Sequence, residues 1–106
     1  MVMDPTVGAE MQKTRPFVVL SSDSLHTGGL PLRTGAPITS WKPGKESLAH
    51  VRIKPSKTNG LKGEGVVSVL QLRGLDVLRF RNRIGRLTDE ELQEVCAGVA
   101  ALIEYV

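Results

Sequence analysis

DPTVGAEMQKTRP occupies residues 4–16 and is followed at once by FVVLS at residues 17–21. The first segment is polar and contains Pro and Gly, which favours a loop, whereas the second is apolar and partly β-branched, which favours a buried strand. Lys13 and Arg15 stand where the loop passes into the strand. The edge of a stiff strand therefore carries two cations in a place where they can meet an anion.

Three segments further along the chain indicate more β structure. Residues 50–54 alternate polar and apolar side chains, so we expect Val51 and Ile53 to face inward. An Asn-Gly pair at residues 59–60 marks a turn. The run from Val66 to Leu72 is the clearest strand pattern in the chain. Together these segments predict a small β-rich domain.

The end of the sequence predicts a helix. Thr88 and Glu91 form a Ser/Thr-x-x-Glu capping box, in which each side chain satisfies the other residue's free backbone N–H. Apolar residues then recur at helical spacing along one face: Leu92, Val95, Cys96, Val99, Leu102, Ile103 and Val106. We expect this helix to have a structural role. The sequence leaves open whether the whole face packs inside the domain or part of it meets a second subunit.

Length and composition limit the class of protein. The 106 residues are enough for one domain, residues 1–106, with a single small core. Aromatic residues are only 4 %, so we expect an aliphatic core. The single cysteine, Cys96, excludes an internal disulfide, and its apolar helix face favours a core residue over a nucleophile. Neither a membrane span nor a signal peptide is indicated, so a reducing cytoplasm is the expected location.

The net charge of +3 conceals a sharp division. Residues 1–86 contain all 14 Lys and Arg and six acidic residues, a net of +8, whereas residues 87–106 contain five acidic residues and no base. A basic body suits a polyanionic partner, because neutralising phosphates releases condensed counterions. The alternative is that scattered cations only keep a small domain soluble. Both interpretations apply to the densest basic patch, Arg79, Arg81, Arg83 and Arg86.

Four blocks occur in a particular order along the chain: GAE and KTRP within residues 8–16 with the apolar strand to Ser21, APITS at residues 36–40, VLQLRGLD at residues 69–76, and RIGRLT at residues 83–88. In this order they resemble the MazF/PemK family of toxin endoribonucleases. The resemblance implies an α+β fold that is mainly β, a small SH3-like antiparallel β-barrel of the MazF/PemK/CcdB type closed by the C-terminal helix. It also places a strand over residues 32–38, where Arg33-Thr34-Gly35 interrupts the apolar pattern.

The start of the chain departs from the family pattern. Members begin with an additional strand that leads into the Asp-Pro loop, whereas here only three residues precede Asp4. We therefore expect the first strand to be truncated, and its loss to leave the edge of a neighbouring strand unpaired.

The resemblance further implies the toxin component of a type II toxin-antitoxin system. Such a toxin is a homodimer without a cofactor, and it cleaves single-stranded mRNA at specific sequences by attack of the ribose 2′-OH on the adjacent phosphate, independently of metal ions. Its antitoxin presents an acidic segment, which suits the basic body. The alternative is a relative that binds antitoxin or a protein target such as gyrase without cleaving RNA. The presence of both Arg15 and Thr39 argues against the gyrase type.

Arg15 and Thr39 match the catalytic positions of the family. The reaction builds negative charge on phosphorus, and the planar guanidinium of Arg15 can offer a fork of donors to that charge. The Thr39 hydroxyl can orient the 2′-OH or a phosphate oxygen. Arginine is a poor general base because its pKa lies above about 12, so the base is left unidentified. Without the motif, Arg15 would be read as a solvated surface residue.

Six further residues are predicted to bind RNA: Lys13, Ser21, Ser40, Trp41, Gln71 and Arg73. The two serines match family positions that line the RNA site. Gln71 and Arg73 alternate onto one face of the predicted strand, although Arg73 and Asp76 can equally form a structural ion pair. Trp41 either stacks on a splayed base or anchors a loop. His26 and His50 are disfavoured as an acid–base pair because neither lies in a block.

Overall fold

The computed structural model describes the backbone of residues 6–10, and residues 15–21, 29–44 and 47–103 with their side chains. These residues form seven strands, two 3₁₀ turns (Val69–Gln71 and Val77–Arg79) and one α-helix, α1 (Asp89–Leu102). The strands are β1 (Thr6–Glu10), β2 (Arg15–Val19), β3 (Leu32–Ser40), β4 (His50–Ile53), β5 (Gly65–Ser68), β6 (Arg73–Asp76) and β7 (Phe80–Arg86).

The strands form one antiparallel sheet in the order β4-β5-β3-β2-β1-β7, and β6 pairs with the first half of β3. The expected mainly β architecture with a C-terminal helix is confirmed. The expected closure of the barrel is not found, because β4 and β7 lie at the two ends of this order and no pairing joins them within the described residues. The turn after β4 nevertheless contacts the end of β7, because the Thr58 carbonyl accepts a hydrogen bond from the Arg86 N–H at 2.9 Å.

β1 corrects two expectations about the N-terminal segment. Thr6–Glu10 lies within the stretch predicted to be a loop, yet it is a strand that pairs with β2 on one side and with β7 on the other. The edge expected to be left unpaired by a truncated first strand is therefore occupied. Gly8 and Ala9 have low strand propensity, so this strand depends on its two neighbours more than on its local sequence.

β3 confirms the strand placed over residues 32–38 and extends it to Ser40. Its first half pairs with β6, its middle with β2 and its last three residues with β5. Gly35 lies where three strands meet, because it pairs with Val19 on one side and with Arg73 on the other. The residue that interrupts the apolar pattern therefore lies at the centre of the sheet.

The strand predicted from Val66 to Leu72 is correct in its first half only. β5 ends at Ser68, and the chain makes a 3₁₀ turn before β6 begins at Arg73. Val69 is fully buried, and its N–H donates to the Ala49 carbonyl at 2.9 Å instead of continuing the ladder with β3. β5 and β6 therefore pair with different parts of β3 and are separate strands.

Two clusters of buried side chains form the core. The larger cluster lies between the sheet and α1 and is aliphatic, as expected: Val18, Leu20, Ala36, Ile38, Val51, Ile53, Val67, Val69, Leu87 and Val95. Val51 and Ile53 are among them, which confirms the inward face predicted for β4. The smaller cluster contains Phe17, Val19 and Leu75, and the Phe17 ring meets the Phe80 ring edge-on with centroids 5.5 Å apart.

α1 begins at the predicted capping box. The Thr88 Oγ1 accepts a hydrogen bond from the Glu91 N–H at 3.2 Å, and the Glu91 Oε1 accepts one from the Thr88 N–H at 2.8 Å. Val95 is fully buried whereas Leu102 is 37 % exposed, so the apolar face packs inside the domain mainly along its first half. Val106 lies outside the described residues. Within the described ranges, no helix is long and apolar enough to cross a membrane.

Asn59 is a fully buried polar residue that joins the turn after β4 to the start of α1. Its Oδ1 accepts hydrogen bonds from the N–H groups of Ser56 and Leu61, both at 3.0 Å. Its Nδ2 donates to a carbonyl just beyond the end of β4 at 2.8 Å and to the Glu91 Oε2 at 3.2 Å. The predicted Asn-Gly turn is confirmed, and Gly60 supplies its positive φ of 69°.

We expect Asn59→Ala to lower the free energy of unfolding by about 3 kcal/mol, because four hydrogen bonds are lost and buried donors are left without acceptors. Chemical denaturation followed by circular dichroism measures this difference. Asn82→Ala is the matched control, since Asn82 is exposed on β7 and its removal should change stability by less than about 0.5 kcal/mol. Equal effects of the two substitutions would show that the turn does not depend on this network.

Candidate functional site

The first residue of β2 and the end of β3 lie side by side. β2 and β3 pair in the register Phe17↔Pro37, and the same register continued for two residues places Arg15 opposite Thr39. Residues directly opposite each other in antiparallel strands have Cβ atoms about 4.5–5.5 Å apart. The pairs between β2 and β3 end at Phe17↔Pro37, but Pro16 and Thr39 line the same pocket, so the two segments that carry the predicted catalytic residues lie close together.

Arg15 and Thr39 also share a face of the sheet. Side chains alternate along a strand, and since Val18 lies in the larger cluster, Arg15 and Phe17 lie on the opposite face. Arg73 reaches the same face, with its Cζ 5.9 Å from the centroid of the Phe17 ring. We call this side of the sheet, on which Arg15, Thr39 and Arg73 lie with the buried Phe17, the Phe17 face.

The Phe17 face carries an available positive charge. Arg15 is exposed, and within the described part of the chain its guanidinium has no hydrogen-bond or ion-pair partner. Arg52 on β4, by contrast, forms an ion pair, in which its Nη2 lies 2.6 Å from the Glu64 Oε2. A guanidinium that is not held by a carboxylate keeps its N–H donors for an incoming phosphate.

The two serines predicted to bind RNA lie at opposite ends of the strands. Ser40 is exposed beside Thr39 at the end of β3. Ser21 lies beyond the far end of β2, about 20 Å from Arg15 at the usual rise per strand residue. Its Oγ accepts a hydrogen bond from the Thr34 N–H at 3.1 Å, which joins the end of β2 to β3. The structure therefore brings Ser40, but not Ser21, to the Arg15–Thr39 pair.

Trp41 follows Ser40 and is part of a stack of three side chains. The guanidinium of Arg52 lies over the indole ring, with its Cζ 3.9 Å from the centroid, and is held there by Glu64. The backbone N–H of Trp41 donates to the Glu64 carbonyl at 3.2 Å. One ring face is thus covered by a cation and is closed to a base. These contacts favour the loop-anchor interpretation of Trp41.

Gln71 and Arg73 do not alternate along one strand. Gln71 is exposed in the 3₁₀ turn, and Arg73 begins β6 after it, because the predicted strand ends at Ser68. The ion pair between Arg73 and Asp76 stays a prediction. The Asp76 Oδ1 accepts a hydrogen bond from the Leu78 N–H at 2.9 Å and caps the second 3₁₀ turn.

The remaining candidates contribute little to this site. Lys13 and His26 lie outside the described residues. His50 shares a hydrogen bond of 2.8 Å between its Nδ1 and the Ser47 Oγ. Cys96 is half-buried, and burial raises the pKa of its thiol, which disfavours the reactive thiolate. Among the described residues, no three His, Cys, Asp or Glu side chains come together in a way that could hold a metal ion.

A groove of about 620 Å³ opens beside the end of β3. Its walls are Pro16 with residues 38–40, the loop of residues 60–65, and residues 82–84 of β7. We call it the glycine groove, because positions 60, 63 and 65 of the loop are glycines. No sequence pattern predicted it, since its walls come from segments distant in the chain. The only local signal is the set of closely spaced glycines.

Known proteins resemble this chain in sequence and in structure. A family model described as PemK-like, MazF-like toxin of type II toxin-antitoxin system matches residues 1–103. Endoribonuclease EndoA from Bacillus subtilis (strain 168) is 29 % identical over 93 residues, which cover 88 % of this chain and 78 % of EndoA.

Two solved structures illustrate the likeness in fold. The Mycobacterium tuberculosis toxin MazF-mt6 superposes with a TM-score of 0.78 at 24 % identity, over 94 % of this chain and 96 % of that chain. A chain of the MazE-MazF crystal structure (Form-III) from Deinococcus radiodurans gives a TM-score of 0.77 at 25 % identity, over 100 % of both chains. The mainly antiparallel sheet with a C-terminal helix is therefore a fold that this chain shares with them.

Proposed function

The chain belongs to the PemK-like, MazF-like toxins of type II toxin-antitoxin systems, and from this premise we propose that it is an endoribonuclease that cleaves single-stranded mRNA without a metal ion. The observation that carries the proposal is the pairing of β2 with β3, whose register, continued beyond Phe17↔Pro37, leads from the exposed Arg15 to Thr39. The similarity to EndoA, which is named an endoribonuclease, supports RNA cleavage as the reaction.

In the proposed reaction the ribose 2′-oxygen attacks the adjacent phosphorus and the 5′-oxygen of the next nucleotide leaves. The products are a 2′,3′-cyclic phosphate and a 5′-hydroxyl. Negative charge grows on the phosphoryl oxygens of the five-coordinate transition state, and donors already in position stabilise it most. Arg15 supplies two parallel N–H donors, and Thr39 orients the 2′-OH or a phosphoryl oxygen. The proton acceptor for the 2′-OH is not assigned to any residue.

The RNA strand is proposed to follow the Phe17 face. Arg73 adds a second exposed arginine on this face, where its guanidinium lies over the Phe17 ring. Gln71 and Ser40 are exposed and are proposed to donate to phosphate or base edges. Lys13 precedes β2 and is proposed to add a further phosphate contact. The basic body, with a net charge of +8 over residues 1–86, favours association with RNA in general.

A homodimer and an antitoxin complete the proposal. The solved MazE-MazF pair of D. radiodurans supports an antitoxin partner for this chain, and the basic body suits an acidic segment of that partner. Leu32 at the start of β3 is 48 % exposed, and Leu78 in the 3₁₀ turn after β6 is 79 % exposed. The Val77 N–H donates to the Pro31 carbonyl at 2.7 Å and joins the two segments. Exposed apolar side chains of this size support a contact with a second subunit.

Incubation of the purified chain with single-stranded RNA of mixed sequence, in excess chelator, tests the proposed function. We expect cleavage that leaves 5′-hydroxyl ends, which a polynucleotide kinase labels directly, and 2′,3′-cyclic phosphate ends. Arg15→Ala purified in the same way controls for contaminating ribonuclease. A folded parent that leaves the RNA intact both with and without added metal ions would overturn the endoribonuclease proposal and favour a binding-only member of the family.

A further inference from the structure

The glycine groove lies next to the Arg15–Thr39 pair but is separate from the Phe17 face. Pro16 and Ile38 lie one residue away from the pair, and each forms part of a groove wall. Thr39 borders both surfaces, because it lines the groove and stands two residues after Pro37, which pairs with Phe17. An RNA strand whose phosphate lies at Arg15 therefore has the groove within reach of a neighbouring nucleotide.

We propose that the glycine groove binds one nucleotide of the RNA substrate, adjacent to the cleaved phosphate, and determines which base is accepted there. This inference rests on the proposed function. The volume of about 620 Å³ lies within the usual range for small-molecule sites and is ample for a nucleotide. Pro16, Ile38, Leu61 and Ile84 provide apolar walls for the flat faces of a base.

Polar and charged groups at the groove match the rest of a nucleotide. The Asn82 side chain has hydrogen-bond donors and an acceptor, and both are needed to distinguish one base edge from another. Lys62 and Arg83 are exposed, and within the described residues neither has an ion-pair partner. Glu64 also lines the groove, but Arg52 compensates its charge. The groove is therefore positively charged and suits a phosphate beside the bound base.

Gly63 provides a way to fill the groove without disturbing the fold. A Cβ built at Gly63 meets no atom within 4 Å, and its backbone is not in the left-handed region. We expect Gly63→Leu to lower cleavage about 10-fold or more with the melting temperature unchanged, on the scale of losing one well-bound base. Gly63→Ala is the matched control, because its single methyl group leaves most of the groove open.

A substrate library with randomised positions around the cut site tests the assignment of specificity. Sequencing the products of the parent should show a base preference at a position next to the cut. We expect Asn82→Ala to flatten that preference, and Arg83→Ala to reduce cleavage about 5-fold or more across all sequences by removing a phosphate contact. Lys57→Ala removes the same charge from an exposed turn outside the groove and should retain both the rate and the preference.

The two proposals fail in distinguishable ways. A folded parent that does not cleave overturns the proposed function, and the nucleotide subsite is rejected with it. A parent that cleaves, together with a Gly63→Leu variant that matches Gly63→Ala in rate and in base preference, leaves the endoribonuclease standing and overturns the subsite alone. A preference that Asn82→Ala does not alter overturns its role as the specificity residue.

Discussion

Arg15→Ala is expected to lower the rate of RNA cleavage by about 100-fold or more while the protein remains folded. The rate falls because the guanidinium is the main group assigned to stabilise the charge that grows on the phosphoryl oxygens, and loss of one such donor has an effect of this size. The fold survives because Arg15 is exposed at the first position of β2 and its guanidinium has no partner in the described residues. Initial rates on one cleavable oligonucleotide, with circular dichroism of both proteins, measure the two effects.

Two control variants separate stabilisation of the transition state from simple attraction of RNA. Arg15→Lys keeps the positive charge but loses the planar fork, so RNA affinity should stay near that of the parent while the rate of the bound substrate remains low. Lys54→Ala removes a cation that is exposed beyond the end of β4, and its rate should match that of the parent. Cleavage by Arg15→Ala at the parent's rate would contradict the proposed mechanism.

The helices and strands that were predicted correctly are determined by side chains within or next to the element itself. The capping box of Thr88 and Glu91 specifies the helix start within one turn, and the alternation around Val51 and Ile53 specifies which face of β4 is buried. The apolar run after Arg15 is similarly enough to indicate β2. In each case the side chains that determine the element lie within a few residues of it.

The elements that were predicted wrongly depend on contacts between distant segments. β1 contains Gly8 and Ala9 and becomes a strand because it pairs with both β2 and β7. The strand expected to continue through Leu72 ends at Ser68, because the N–H of the buried Val69 bonds the Ala49 carbonyl instead of the sheet. Neither cause is visible in the local pattern of apolar residues.

In the candidate site, too, the motif residues were predicted from the sequence, whereas features that depend on distant segments were not. The motif resemblance indicated Arg15 and Thr39 as a pair, and the pairing of β2 with β3, which ends at Phe17↔Pro37, brings the two segments together. The resemblance did not predict that Ser21 would lie at the far end of β2, or that Arg52 would cover one face of Trp41. The glycine groove was missed entirely, since it exists only once the loop of residues 60–65 packs between β3 and β7.

Gly35→Ala is expected to have the largest effect on stability, lowering the free energy of unfolding by about 4 kcal/mol or more. A Cβ at Gly35 would overlap the carbonyl oxygen of Val18 on the neighbouring strand, and it would lie 2.9 Å from the Cε1 of the Phe17 ring. Backbone atoms cannot move aside as a flexible side chain can. Relief therefore requires β2 to separate from β3, which would also separate Arg15 from Thr39.

Thermal unfolding measures this effect, and the sheet offers a matched control. At the usual 4–8 °C per kcal/mol for a domain of roughly this size, Gly35→Ala should melt about 20 °C below the parent or fail to fold. Gly74→Ala adds the same methyl group in β6, where the nearest atom is the Thr34 Oγ1 at 3.8 Å, and should change the melting temperature by only a few degrees. Equal melting of the two variants would mean that β2 and β3 are not as closely paired as the register of Arg15 and Thr39 requires. The stability of Gly35→Ala therefore tests the geometry of the proposed catalytic pair without any assay of cleavage.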